Sequence, residues 1–143
     1  MATKSRTPDQ ISFLARSLYR RLWRAGETSV LYSRPAVKYV HQRIREGFEE
    51  YRHEVDQRIL NDLFERAENT IEFLKTSSRR KGLEHRVVYT LCQMTYIENE
   101  YKKRPPYHSK RLKPELWIYH QQSYDEYYRT LAMMNDSLKL CLR

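Results

Sequence analysis

The sequence predicts an all-α protein, and three observations carry that prediction. Only 3 glycines and 5 prolines occur in 143 residues, too few for a loop-rich or sandwich-like chain. Apolar residues recur at intervals of three and four along most of the chain, the signature of helices with one buried face. Gly26, Gly82 and the prolines fall between these periodic stretches, where helices begin and end. A chain of this length can bury roughly 70% of its unfolded surface, enough for one domain with a real core.

The first helix is predicted from about Pro8 to Ala25, with Ile11, Leu14, Ala15, Leu18, Leu22 and Ala25 on one face and Arg16, Arg20 and Arg24 opposite. Tyr19 and Trp23 lie on the border between the faces, and Gly26 is read as the stop. A second helix opens at "SRPAVKY", with Ser33 as cap and Pro35 in the first turn, and its stripe is Val37, Val40, Ile44, Phe48 and Tyr51. The third runs from about Asp56 to Arg80 on Leu60, Leu63, Ala67, Thr70, Ile71 and Leu74, with Gly82 ending it. The fourth, Leu83 to Lys103, carries Val87, Val88, Leu91, Met94 and Thr95 on one side and stops before Pro105 and Pro106. Pro114 is expected to open a short helical turn through Trp117 and Tyr119. A Ser123 to Glu126 capping box then starts a last helix with Tyr124, Tyr127, Tyr128, Leu131, Met134 and Leu138 inward.

Lys and Arg exceed Asp and Glu by 27 to 18, which favours phosphate-rich or acidic partners. The excess is uneven: +5 over residues 1–26 and +7 over 79–113, with the 54–78 stretch at −3. No apolar run is long enough to span a membrane. Residues 1–24 set Lys4, Arg6, Arg16, Arg20, Arg21 and Arg24 against Asp9 alone, the composition of a mitochondrial targeting segment. Because Leu14, Leu18 and Leu22 read as core, that segment is expected to be retained. Cys92 and Cys141 show no metal spacing and are read as buried thiols in a reducing compartment.

Catalysis is not predicted. His41, His53, His85, His108 and His120 fall in different segments without ligand spacing, so no metal is expected. No Gly-rich phosphate loop, GxSxG or CxxC is present, and the adjacent carboxylates Glu49 and Glu50 point in different directions on a helix. The basic blocks "SSRRKGLEHR" and "KKRPPYHSKR" leave open an RNA-binding helical protein, although no RNA-binding module is recognisable.

Leu18, Tyr19 and Arg20 spell "LYR" within the amphipathic first helix. After a loop comes "YVHQRIREGF", with Tyr39, Arg43, Ile44, Arg45 and Phe48, and then a long helix ending "FLK". This ordered set resembles the LYR-motif (Complex 1 LYR-like) family of small mitochondrial helical proteins over about residues 11–81. One departure is that Glu49, Glu50 and Tyr51 follow the phenylalanine, where members commonly continue with another arginine. The resemblance implies a three-helix core, placed at residues 1–82. A helical extension, residues 83–143, then either packs on the same domain or contacts a client.

The resemblance further implies a non-catalytic adaptor of the mitochondrial matrix. Such an adaptor binds the acylated mitochondrial acyl carrier protein and docks it on a client assembly. No cofactor is bound directly, because the carrier supplies acyl-phosphopantetheine. Leu18, Ile44, Phe48, Leu63 and Ala67 would line the acyl tunnel, while Arg20, Lys38, Arg43 and Arg45 face the carrier and Tyr19 and Tyr39 position its arm. Client or RNA contact is assigned to Arg79, Arg80, Lys81, Lys102, Lys103, Arg104, Lys110 and Arg111. That block favours a mitochondrial ribosomal particle as client, with respiratory complex I or another respiratory complex as the alternative.

Overall fold

A computed structural model describes residues 5–103 and 113–143. It is built from five helices, α1 (Pro8–Ser29), α2 (Arg34–Glu50), α3 (Gln57–Ser77), α4 (Leu83–Lys103) and α5 (Pro114–Leu138), and the described residues hold no strand. Helix α1 packs on both α2 and α3, and α4 packs on α3 and α2. The four helices therefore form a ring in which α2 and α3 face one another across the centre.

Local chemistry sets the boundaries. Thr7 and Gln10 make a capping box at the start of α1, and the Asp56 carboxylate accepts the Arg58 N–H at 2.9 Å to start α3. Hydroxyls take up carbonyls at the helix ends: Ser29 Oγ donates to Gly26 O at 2.7 Å, and Ser77 Oγ to Leu74 O at 2.7 Å. Helix α3 thus ends at Ser77 rather than Arg80. In the turn that follows, Arg80 takes the left-handed backbone, with φ 52°, and Gly82 does not. Ser33 stands at the N-cap of α2 without a side-chain cap bond, and Pro35 occupies its first turn.

Two larger departures from the sequence reading have physical causes. Helix α1 does not stop at Gly26 but continues to Ser29, and Gly26 is buried inside it. Its role is proximity: a Cβ there would lie 2.5 Å from Val40 Cγ1 and 3.3 Å from Ile44 Cδ1, so the missing side chain lets α1 and α2 approach. The chain reverses instead at Leu31 and Tyr32, both with positive φ. The second departure is α5, one continuous helix of 25 residues that runs through Ser123. The predicted capping box does not start a helix, because the 114–122 stretch already supplies helical turns before it.

The core is one cluster of Leu18, Leu22, Ala25, Val30, Ala67, Ile71, Leu74, Val88 and Cys92, against which Val37, Val40, Ile44 and Phe48 of α2 are half-buried. Leu14, the third leucine of the α1 stripe, also packs on it half-buried. A second cluster joins Leu131, Leu140 and Leu142 to Phe73, Val87, Leu91, Tyr127, Tyr128 and Met134. Phe73 packs against both clusters, so it joins the cluster built by α5 and the 139–143 segment to the main core. Two stripe residues leave the core: Tyr51 caps the end of α2, exposed, and Leu138 is 54% exposed in the last turn of α5.

Gly26→Ala should destabilise the fold. Overpacking against the stiff Val40 side chain costs about 1–3 kcal/mol, more than the gain of about 1 kcal/mol in helix propensity. A lower urea midpoint with unchanged slope is the expected reading, and an unchanged or higher midpoint would show that the α1–α2 contact is not tight.

Candidate lipid-binding cavity

The helices surround a cavity of about 1010 Å³ that is open on one side, at the upper end of the roughly 300–1,000 Å³ of small-molecule sites. Its size follows from α2, which has no fully buried residue: Val40, Ile44 and Phe48 reach towards the centre but do not fill it. Leu18, Leu22, Leu60, Leu63, Ala67 and Leu74 line it from α1 and α3, and Val88, Leu91, Cys92 and Thr95 from α4. All five residues assigned to an acyl tunnel, Leu18, Ile44, Phe48, Leu63 and Ala67, stand around this one space.

Along the α1–α2 seam runs an aromatic ladder. Phe48 meets Tyr19 edge-on at 5.0 Å, Tyr19 meets Trp23 at 5.4 Å, and Trp23 stacks on His41 at 3.5 Å and 14°. The Arg45 guanidinium lies 5.9 Å over the Trp23 ring. Positions 19 and 23 on α1 and 41, 45 and 48 on α2 share helical spacing, a signal present in the sequence but not read there as a contact. Tyr19 is thereby a wall of the cavity as well as a border residue, and Tyr39 lines the cavity beside Tyr96, 6.0 Å away.

This packing disfavours the protonated form of His41. Burial pushes its pKa below the ordinary 6.5, with Glu27 pulling the other way. Its Nε2 lies 3.4 Å from Glu27 Oε1, within ion-pair range but without hydrogen-bond geometry.

The residues assigned to the carrier separate into two groups. Arg20, Lys38 and Arg45 are exposed and make no ion pair among the described residues. Arg43 departs from its assignment. Its side chain is only 20% exposed, with Nη2 2.7 Å from Glu98 Oε2, Nη1 3.3 Å from Glu46 Oε2 and Nε 2.8 Å from Thr95 Oγ1. It also donates to the Tyr128 hydroxyl at 3.3 Å. Arg43 is thus a clamp joining α2 to α4 and α5, engaged internally because two helices absent from the three-helix core pack over it. Exposed Arg16 and Arg52 border the cavity with Arg45, and neither has a carboxylate partner among the described residues. Glu49 and Glu54 also border it, but Glu54 Oε1 accepts the Val55 and Asp56 N–H groups at 3.0 Å.

The basic block divides in space. Arg79, Arg80 and Lys81 are exposed at the α3–α4 corner, whereas Lys102 and Lys103 stand at the far end of α4, about 30 Å away at 1.5 Å per residue. Lys103 pairs with Glu100 at 3.1 Å. Arg104, Lys110 and Arg111 lie outside the described residues. Among the described residues no group of His, Cys, Asp and Glu could hold a metal, and no helix is long and apolar enough to cross a membrane.

Residues 14–73 match the family model of the Complex 1 protein (LYR family). The chain carries an LYR-family domain. The match begins at Leu14 in α1, takes in all of α2 and ends at Phe73 near the end of α3, so it covers the helices that build most of the cavity wall. No curated protein and no solved structure matches the chain. LYR-family proteins are generally non-catalytic adaptors or assembly factors, mostly mitochondrial, and the match suggests a small adaptor-type protein.

Two predictions follow from this geometry. Arg43→Met should lower stability by about 1.5–3 kcal/mol, since it leaves Glu98 without its charged partner; a change within experimental error in chemical denaturation would remove the clamp role. For His41 the folded pKa lies below the unfolded one, so the unfolded state binds the proton more readily. Stability should therefore fall as pH drops through about 6.5 and level off below the folded value. Urea midpoints compared between the wild type and His41→Phe check this: the part of the acid-side decline due to His41 should vanish in the variant.

Proposed function

We propose that this protein is an LYR adaptor that receives the acyl chain of an acylated acyl carrier protein in the cavity and presents the carrier to a client assembly in the mitochondrial matrix. The observation that carries the reading is the cavity itself, apolar inside, bounded by the matched LYR segment and bordered by Arg16, Arg45 and Arg52, which have no carboxylate partner among the described residues. Burial of an alkyl chain supplies affinity of about 0.8 kcal/mol per methylene. Exposed guanidinium groups favour an acidic carrier and the phosphate of its arm through charge-assisted hydrogen bonds. The arm delivers the lipid, and this chain's own residues bind and orient it.

The carrier surface is Arg20, Lys38 and Arg45, joined by Arg16 and Arg52, while Arg43 supports it from within. The favoured client is a ribosomal particle, on the strength of Arg79, Arg80 and Lys81, which are exposed and free of ion pairs among the described residues.

An affinity pull-down from mitochondria, with intact mass measurement of what is retained, tests carrier and client together. An acylated carrier at near-equal stoichiometry is expected, and its absence would overturn the reading. The triple change Arg20→Glu, Lys38→Glu and Arg45→Glu should cut the retained carrier at least about tenfold with helicity unchanged. Gradient sedimentation should show comigration with a ribosomal subunit that is lost at high salt. Comigration with a respiratory complex in detergent would replace the client.

A further inference from the structure

Helix α4 covers only part of the gap between α2 and α3. It lies against α2 where Cys92 approaches Ala36 O and Thr95 meets Arg43, and against the end of α3 where His85 Nδ1 is 3.1 Å from Ser77 O. Towards the other end of the ring, where α2 finishes and α3 begins, the wall is made by the segment that leaves α5. Lys139 turns the chain with φ 50°, and Cys141, Leu142 and Arg143 then line the cavity.

This segment is held at every residue. Asn69 Nδ2 donates to Lys139 O at 3.1 Å, and Arg66 Nη1 donates to Leu140 O at 3.4 Å. Cys141 N donates to Thr70 Oγ1 at 3.0 Å. The Asn135 side chain clamps Leu142 from both sides, donating to its carbonyl at 2.6 Å and accepting its N–H at 3.0 Å. Arg143 then crosses to α2, paired with Glu50, 5.8 Å from the centre of the Tyr51 ring and 3.7 Å from where a Cβ on Gly47 would stand. The strap thus runs from α3 to α2, the two helices that face one another across the ring.

We propose that this strap is a specificity wall in which Leu142 sets how long an apolar chain the cavity accepts. The inference rests on the lipid-binding reading above. Leu142 is 7% exposed, borders the cavity where it meets the second cluster, packs there with Leu131 and Leu140, and is held through its backbone by Asn135, so a change of side-chain volume at this position moves the wall. It lies outside the matched segment, so an adaptor of this family acquires the limit from its own extension. Cys141 is engaged by Thr70, and Arg143 closes the far side without adding apolar volume.

The test uses the full chain and measures binding of octanoic, dodecanoic and hexadecanoic acids by displacement of a fluorescent fatty acid. In parallel, the acyl mass on carrier retained from mitochondria is read. Leu142→Ala should shift preference towards longer chains, by roughly fourfold in relative affinity for each extra methylene accommodated, and Leu142→Trp towards shorter ones. Circular dichroism confirms folding; if Leu142→Ala does not fold, Leu142→Val gives the same direction with a smaller shift. Unchanged chain-length preference in folded variants overturns the inference, whatever the carrier result. Fatty-acid binding without any retained carrier overturns the carrier reading instead and leaves the wall intact.

Discussion

The structure depends on a separation: α2 and α3 stand across the ring from each other, spaced by α1 on one side and α4 on the other. Were they to pack directly, Ile44 and Phe48 would become ordinary core residues and the cavity would close. Three contacts keep the arrangement. Gly26 lets α1 and α2 approach closely at one point, the aromatic ladder from Phe48 to His41 fixes their relative rotation, and Arg43 ties α2 to Glu98 and Tyr128 on the other side. Helix α2 is thus held by its two flanks and leaves its inward face half-buried. An apolar interior that the chain's own side chains do not fill forgoes part of the dispersion contacts of a packed core.

The division of labour between the matched segment and the remainder follows from this. Residues 14–73 contribute three helices that would expose Phe73 and Ile71 if left alone. Helix α4 completes the core with Val88 and Cys92, and α5 adds the second cluster around Leu131. The extension is structural before it is anything else, and its basic residues are displayed at separate places. Charge adjacency along a chain does not survive a helix about 30 Å long, which is why, among the described residues, Arg79, Arg80 and Lys81 form one surface and Lys102 and Lys103 another.

Helical periodicity made most of the fold legible. The limits of α4, Leu83 and Lys103, and the buried leucines 18, 22, 60 and 74 all follow from three-and-four spacing bounded by glycine or proline. The same spacing brought Leu18, Ile44, Phe48, Leu63 and Ala67 to one space, since each is an inward position on its own helix. What spacing could not reveal is which neighbour a side chain meets. Gly26 looked like a terminator because its close approach to Val40 is a tertiary fact. Arg43 looked like a surface cation because Glu98 and Thr95 are more than fifty positions away. The 139–143 strap carries no periodic signal, and its place in the cavity wall rests on side-chain and backbone bonds from α3 and α5.

The two cysteines acquire meaning from where they sit. Cys92 and Cys141 both border the cavity, and burial raises each thiol, Cys92 to about 11. A sulfur at such a site is almost wholly protonated near neutral pH, hence a poor nucleophile. Neither sulfur is therefore set up to attack an acyl group, and both serve the cavity as small apolar wall atoms.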